Sequence, residues 1–566
     1  MGRRWKPRRL GQSGVGLAVG AGAAAVQLAP LCGSGYLLVR DMVFVPHLPM
    51  TGALLGRDGV PRAVPSDLVV ALASHVVPGW AVQRIVLVGI FIVAGWGAAR
   101  MVPGTSRAGA AAAAVVYTWN PYVTERLLLG QWALLVGYAV LPHVAVAMTR
   151  ALRDDSTDAR RSAVGWICVA GLGGASAELL AVLVAVPLAF VAWRRRRRAL
   201  TLVTAGAFAA IALPWLLPAL LQPGGTPHDH VGATAFAARP DTPLGTLGSV
   251  LSLGGVWDGE AVPTGRDQFT VGIAALVLSA IAVVAVVRAR RTLPSGPLLV
   301  SAALGLALAM WGAVPGLRHG LGWLVATAPG GGLFRDGQKL VAPLAVVISL
   351  GLGMTVAELV ARRRLVQAGL LAVVPIAVLP GTAYGADNAL TPADWPAMWA
   401  QTAHDVDHLG PGPVAVLPWS TYRAYSWNHD RVVLDPSDRW FARRVVRDDA
   451  LQVDKLATPV EDPLARDIAA AATGTGPLTD ELARRGYAGA VVDTTTPAGQ
   501  ADARRLASAH LVARHGSLAV YAVSATNHPK VPRAPLAPLI VVDVVAVLVA
   551  ATSIRLRRVR ETAANG

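Results

Sequence analysis

Long apolar segments bounded by clusters of basic residues constrain the fold of this chain more than any other feature. The clusters occupy residues 3–9, 100–107, 150–161, 194–198, 288–291, 362–364 and 555–560. Apolar segments of about 20 residues span a bilayer, and cytoplasmic loops carry an excess of Lys and Arg. If every cluster is cytoplasmic, the chain must cross the membrane an even number of times between successive clusters. The pattern therefore predicts a polytopic α-helical membrane protein with about 12 transmembrane helices.

The composition agrees with this class of protein. Hydrophobic residues make up 54% of the 566 residues and charged residues only 15%, whereas soluble domains are about 25% charged. The net charge of +17 would suit nucleic-acid binding, but the basic excess lies at the ends of apolar segments. The lipid bilayer is therefore an expected partner, and nucleic acid is not. The two cysteines, Cys32 and Cys168, predict no disulfide framework.

Hydropathy places the predicted membrane segments. We expect single helices at residues 14–31, 82–99, 199–221, 269–287, 297–311, 340–360, 365–379 and 536–553, and helical hairpins at residues 108–148 and 162–193. The hairpin arms are shorter than the ~20 residues of a full span. Short segments are tolerated where protein or a wet cavity covers them, which favours a cavity on the outer side. A cleaved signal peptide is the alternative to a retained first helix.

The composition changes at about residue 380, where charged and aromatic residues become frequent. Alternating and apolar patterns predict strands at residues 414–417, 432–434, 488–492 and 518–523, and helices at residues 462–472 and 478–485. We therefore divide the chain into a multi-pass transmembrane domain (1–379), a small extracytoplasmic α/β domain (380–533), and a final transmembrane helix with a basic cytoplasmic tail (534–566).

The candidate functional residues lie near the outer ends of the predicted helices. Asp41 is a lone carboxylate just after the first helix, within the mostly apolar stretch 36–47, and it is the candidate catalytic residue. Candidate substrate-binding residues in this and two other outer segments are Arg40, His47, Glu125, Arg126, Arg335, Asp336, Gln338 and Lys339. We expect Asp41, Arg126 and the loop 335–339 to converge on one cavity at the outer face.

Four local stretches and the order of helices carry a resemblance to a known family. The stretches are residues 77–84 (VPGWAVQR), 120–122 (NPY), 130–132 (GQW) and 334–339 (FRDGQK). Together with the acid in the first outer loop, the chain resembles the GT-C superfamily of membrane glycosyltransferases, and in particular the arabinofuranosyl- and mannosyltransferases of actinobacterial cell-wall synthesis. The resemblance implies a polyprenyl-phosphate-linked sugar donor, a glycan or glycolipid acceptor, and a site on the outer face of the plasma membrane.

The resemblance also implies roles for the charged residues. An attacking hydroxyl must lose its proton, and Asp41 is the carboxylate placed to accept it as a general base. The departing lipid phosphate gains negative charge, which Arg126, Arg335 and Lys339 could stabilise. Family members that carry two adjacent acids in the first loop differ from this chain, where Arg40 precedes Asp41. No cofactor is assigned, and a divalent cation stays open.

Each of these roles has a structural alternative. Asp41 could pair with Arg40 or cap a short helix, and Glu125 with Arg126 could form a local ion pair. The loop 335–339 could be solvated and merely start the next helix. Aromatic residues at 419–440 could stack on sugars or pack in a core.

Two other classes of function remain alternatives. A transporter or lipid-linked-sugar flippase should carry charged or broken helices in matched halves, and no internal repeat is evident. A membrane scaffold would need only a binding ectodomain. The glycosyltransferase hypothesis accounts for the polar residues gathered at the outer face.

Overall fold

The computed structural model describes residues 11–221, 229–291, 295–328, 330–525 and 533–563. Most of these residues are helical, and the strands lie in the last third of the chain. The basic cluster at residues 3–9 lies outside the described residues, as do the side chains of the cluster at 555–560.

The described helices follow one another through short connections. In chain order they are α1 Gln12–Gln27, α2 Ser66–Ser74, α3 Gly79–Met101, α4 Arg107–Thr118, α5 Pro121–Leu128, α6 Trp132–Arg153, α7 Thr157–Gly171, α8 Gly174–Arg194, α9 Arg198–Leu221, α10 Gly232–Ala235, α11 Gly245–Leu251, α12 Phe269–Ala289, α13 Gly296–Trp311, α14 Pro315–Thr327, α15 Ala342–Ala361, α16 Leu365–Ala377, α17 Ala383–Asp387, α18 Ala397–Asp407, α19 Ser437–Trp440, α20 Pro463–Thr473, α21 Thr479–Arg484, α22 Pro497–Arg505 and α23 Leu536–Ala563. Each predicted membrane segment is helical, and the turn of the first predicted hairpin is itself a helix, α5.

The apolar helices make this a multi-pass membrane protein. Seven described helices are long and apolar enough to cross a membrane, and two bent pairs raise the count to nine. The chain bends by 92° between α13 and α14 and by 56° after α16. Helices α1, α4 and α7 have only 16, 12 and 15 residues and pack against longer helices. The predicted twelve crossings are therefore not confirmed.

The strands lie between α18 and α23. They are β1 Val414–Leu417, β2 Tyr422–Ala424, β3 Val432–Leu434, β4 Val445–Val446, β5 Gln452–Val453, β6 Leu456–Ala457, β7 Gly489–Asp493, β8 His510–His515 and β9 Leu518–Ala522. One sheet has the order β4-β1-β7-β9-β8, with β1 parallel to β4 and β7 and the remaining pairs antiparallel. The predicted strand at 432–434 belongs instead to the separate hairpin β2–β3.

The central strand β1 is buried on both faces, as expected for a strand in the parallel part of a sheet. Val414 and Val416 belong to the large apolar core that continues into the helix bundle. Ala415 and Leu417 belong to a second core on the opposite face, together with Ile468 of α20. The part of the chain that contains the strands, residues 414–522, is called the sheet region below. It packs directly onto the helix bundle and is not merely tethered beside it.

Backbone hydrogen bonds join the loop between α1 and α2, residues 28–65, to this sheet region and to the segment that precedes it. Tyr36 and Ala393 exchange two N–H···O bonds of 2.8 and 2.9 Å. The Arg40 N–H donates to Val432 O, and the Leu434 N–H donates to Arg40 O, both at 2.8 Å. The hairpin β2–β3 therefore lies directly beside the turn that follows Arg40.

Candidate active site

Asp41 lies in a tight turn of the loop between α1 and α2. Val39 and Met42 face each other across the turn, and the Met42 N–H donates to Val39 O at 2.8 Å. Arg40 has a φ of 43°, in the left-handed region. This conformation is unfavourable for residues other than glycine, and such residues cluster at functional sites. The Asp41 N–H donates to Leu129 O at 3.2 Å. This hydrogen bond therefore fixes the turn to the end of α5.

Two of the stretches behind the family resemblance build the support under this turn. Asn120 caps α5 by accepting a hydrogen bond from the Val123 N–H, and Pro121 occupies the first turn, where a missing N–H costs nothing. The helix ends just before Gly130, whose φ is 75°. A Cβ at Gly130 would lie 2.2 Å from Met42 N, so only glycine allows the Asp41 turn to lie this close.

The stretch at residues 77–84 holds the rest of the same loop. The fully buried Gln83 donates through Nε2 to Leu37 O at 2.8 Å and accepts from the Leu37 N–H at 3.0 Å. A Cβ at Gly79 would lie 1.9 Å from Val45 O. Both ends of the stretch 36–47 are therefore fixed against the beginning of α3, which restricts the position of Asp41.

The Asp41 carboxylate is exposed to solvent and accepts a 2.7 Å hydrogen bond from the Tyr422 hydroxyl of strand β2. Desolvation by the surrounding protein raises the pKa of Asp41, while the Tyr422 hydrogen bond and the charges of Arg62, Arg40 and Arg335 oppose that rise. A carboxylate with a raised pKa is a better proton acceptor than an ordinary one. Three cations lie near it, so the arrangement suits a general base beside a developing negative charge.

A single carboxylate, Glu461, joins two of these arginines. Arg62 Nη2 lies 2.5 Å from one Glu461 oxygen, and Arg335 Nη1 lies 3.2 Å from the other. Burial opposes ionisation of Glu461, but the two guanidinium groups outweigh it and lower the pKa of that carboxyl. Arg335 also pairs with Asp229 at 3.3 Å. The side chain of Arg62 is still 45% exposed, so it can also reach a ligand.

Arg40 does not form the local ion pair with Asp41 that the sequence left open as an alternative. Its Nε lies 2.7 Å from Asp258 Oδ2, and its Nη1 donates to Leu128 O at 3.3 Å. The guanidinium thus turns toward the loop before α12. Tyr422, and not Arg40, therefore donates the hydrogen bond to the Asp41 carboxylate.

Arg126 lies inside the protein, with no exposed side-chain surface. Its Nη1 lies 2.5 Å from one Asp336 oxygen, and its Nη2 lies 3.2 Å from the other. The same two amino groups also donate to Gln131 and to Gln338. Such a bidentate Arg–carboxylate pair fixes geometry as well as charge. Arg126 therefore ties the loop 335–339 to α5 and does not face the solvent near Asp41.

The neighbours in this loop complete the buried network. Gln338 donates through Nε2 to Glu125 Oε2 at 2.9 Å and to Gly254 O at 3.1 Å. Lys339 Nζ donates to Ser176 Oγ of α8 at 3.0 Å. Glu125, Gln338 and Lys339 are buried, so the sequence-predicted set divides into an accessible group around Asp41 and a buried group around Arg126.

His47, the remaining predicted residue, contacts neither of these two groups. It is exposed, and its Nδ1 lies 2.7 Å from Ser74 O at the end of α2. That bond links the loop to α2 and involves none of the other candidate residues.

Sequence reasoning missed Arg62 and Glu461 and did not single out Tyr422 from the aromatic residues around it. Each lies more than 20 positions from Asp41, and no local motif marks them. As for a metal, no three His, Cys, Asp or Glu side chains form a ligand group anywhere in the part of the chain that the structure describes.

The arrangement of the helix bundle with its docked sheet region is a GT-C-like fold. The structure is similar to that of arabinofuranosyltransferase AftD from mycobacteria, determined by single-particle cryo-EM, with a TM-score of 0.61 and 17% sequence identity over 93% of this chain. The chain spans 42% of the length of that protein. No family model and no curated protein matches the sequence.

Proposed function

We propose that this chain is a membrane glycosyltransferase that transfers a sugar from a polyprenyl-phosphate donor to a glycan or glycolipid of the cell envelope. The observation that carries the proposal is the accessible Asp41 carboxylate, hydrogen-bonded by Tyr422 and lying near Arg62, Arg40 and Arg335. The similarity to an arabinofuranosyltransferase supports arabinofuranose as the first sugar to test, with mannose as the second.

In the proposed reaction an acceptor hydroxyl attacks the anomeric carbon of the donor sugar. Asp41 takes the hydroxyl proton as the new C–O bond forms. The bond between the anomeric carbon and the phosphate oxygen breaks, and the phosphate leaves with the electron pair. Arg62 and Arg335 lie where their charge can stabilise that leaving group. We place the site and the sheet region on the extracytoplasmic side of the plasma membrane, in agreement with the positive-inside pattern.

The buried network makes a different contribution. Because Arg126 is paired with Asp336 inside the protein, we assign it to holding the loop that carries Arg335. Glu125, Gln338 and Lys339 then act on the shape of the site through the same loop.

The test is a transfer assay with the full chain in nanodiscs and radiolabelled polyprenyl-phosphate arabinofuranose and mannose. Asp41→Asn keeps the shape but cannot take the proton, so turnover should fall by roughly 10²-fold or more. At least part of the loss in Arg335→Ala should instead appear as a higher apparent KM for the donor. Arg239→Ala serves as a control, because Arg239 forms a solvent-exposed pair with Asp454.

The folded state of Asp41→Asn must be checked in the same preparation. Desolvation by the surrounding protein raises the pKa of Asp41 in the folded chain, so ionisation of this carboxyl opposes folding once the pH exceeds its unfolded pKa. The variant should therefore be at least as stable as the parent at pH 7. A stable Asp41→Asn protein with near-normal transfer would refute the role of Asp41 as the base.

A further inference from the structure

A large cleft lies between the loop that joins α1 to α2 and the sheet region, and Asp41 is not among the residues that line it. It has a volume of about 880 Å³ and is walled by segments within residues 50–58 and 411–445. The charged side chains that line it are Arg57, Asp58, Asp438, Arg443, Arg444 and Arg533. Four guanidinium groups against two carboxylates make the cleft positive.

Two of the four arginines have carboxylate partners. Arg533 Nε lies 3.1 Å from Asp58 Oδ1, and Arg444 Nη2 lies 2.6 Å from Asp462 Oδ2. These pairs hold the walls of the cleft together. The uncompensated positive charge of the cleft therefore belongs to Arg57 and Arg443.

Among the residues that the structure describes, Arg57 and Arg443 bond only to backbone oxygens. Arg57 Nε donates to Ala534 O at 3.2 Å, and Arg443 Nη2 donates to Gly410 O at 2.9 Å. Within the described ranges neither forms an ion pair. Guanidinium groups held in place by carbonyl oxygens keep their full charge and present a fork that fits a phosphate or carboxylate.

Two donors in the cleft lack acceptors. Arg443 Nη1 and Arg444 Nε are buried and have no hydrogen-bond partner among the residues that the structure describes. A buried N–H without an acceptor is unfavourable, and native proteins rarely leave one unsatisfied. An oxyanion bound at Arg57 and Arg443 would satisfy Arg443 Nη1 once the Arg443 side chain shifts toward the cleft.

The cleft is connected to the Asp41 site through adjacent residues. Asp462 pairs with Arg444 of the cleft, while Glu461 pairs with Arg62 beside Asp41. The loop between α1 and α2 also contributes to both places. A long ligand held in the cleft could therefore extend toward the carboxylate.

We propose that this cleft binds an acceptor glycan that carries phosphate or carboxylate groups. The proposal rests on the proposed function and specifies the class of acceptor. The acidic group binds at Arg57 and Arg443, and a sugar hydroxyl further along the same chain reaches Asp41. Phosphate and carboxylate share the oxyanion chemistry that the guanidinium forks recognise.

The experiment measures binding to the full chain in phosphatidylcholine nanodiscs, without any transfer step. The probes are a phosphorylated pentamannose, its dephosphorylated form, a trigalacturonate and inorganic phosphate. Arg57→Gln/Arg443→Gln is compared with Arg504→Gln/Arg514→Gln, which removes two charges from exposed positions outside the cleft.

We expect the two acidic oligosaccharides to bind the parent and the control equally. Their Kd should rise at least tenfold in the cleft variant, and binding should weaken with salt. Equal binding by the cleft variant, or by the dephosphorylated sugar, would overturn the proposal. The proposal would also be overturned if inorganic phosphate bound as tightly as the acidic sugars. Loss of sugar binding in phosphatidylglycerol nanodiscs would overturn it too, because it would indicate that the cleft binds a lipid headgroup. Failure of transfer with intact binding would count against the proposed function alone.

Discussion

The Tyr422 hydroxyl donates a 2.7 Å hydrogen bond to the Asp41 carboxylate across 381 positions of sequence. Tyr422 is held there by its own hairpin. The adjacent Arg423 forms a buried ion pair with Asp435, and the hairpin pairs through its backbone with Arg40. The sheet region therefore contributes to the environment of a carboxylate that belongs to the loop between α1 and α2.

Replacing Tyr422 with Phe should change the pH dependence of transfer. The hydrogen bond lowers the pKa of Asp41, so its loss should raise that pKa. Transfer needs the ionised carboxylate and is lost as the pH falls through the pKa, so the acidic limb of the kcat profile should move to higher pH. Tyr521→Phe, in the buried strand β9, is the control. A profile identical to the parent's would show that the bond does not tune Asp41.

Gly130→Ala should displace the Asp41 turn. The new Cβ would lie 2.2 Å from Met42 N, at a φ of 75°. Misplacement of a catalytic group by about 1 Å costs roughly 10²-fold in rate, so transfer should fall by about that factor. Gly104→Ala is a matched control, because Gly104 has a φ of 79° and nothing within 4 Å of its Cβ position. Equal losses in both variants would indicate backbone strain alone.

Arg126→Ala should destabilise the fold. It leaves the Asp336 carboxylate buried without its cation, which costs about 3–5 kcal/mol. Arg126→Ala/Asp336→Ala removes both charges and should unfold at a higher temperature than the single variant. Arg362→Ala, which breaks an exposed pair with Glu358, should change the free energy of unfolding by less than about 1 kcal/mol. Thermal unfolding in detergent measures all three variants, and a stable Arg126→Ala protein would contradict the structural role.

Cysteine labelling in intact cells tests the predicted sidedness. In a Cys32→Ser background, Ser508→Cys should react with a membrane-impermeant maleimide. Arg196→Cys should react only after permeabilisation. Both positions are exposed, so failure to label would reflect the membrane and not burial. The reverse pattern would refute the proposed orientation of the chain.

The sequence by itself determined the helices and much of the sheet. The apolar segment at 269–287 predicts α12, Phe269–Ala289, almost to the residue. The strands at 414–417 and 488–492 likewise correspond to β1 and β7. These predictions succeed because periodicity and hydropathy depend on neighbouring residues, which a single segment of sequence contains. Asp41 is singled out on the same kind of local evidence, as one carboxylate in an apolar stretch, and its catalytic role stays a prediction.

Only the tertiary structure decided which polar groups meet. Arg335 and Asp336 are adjacent in sequence, yet Arg335 pairs with Glu461 near Asp41, whereas Asp336 pairs with Arg126 inside the bundle. Tyr422 reaches Asp41 because backbone pairing brings its hairpin beside the first loop. Ion pairs and hydrogen bonds act over a few ångströms of space. Sequence separation carries no information about such contacts until the fold has brought the distant segments together.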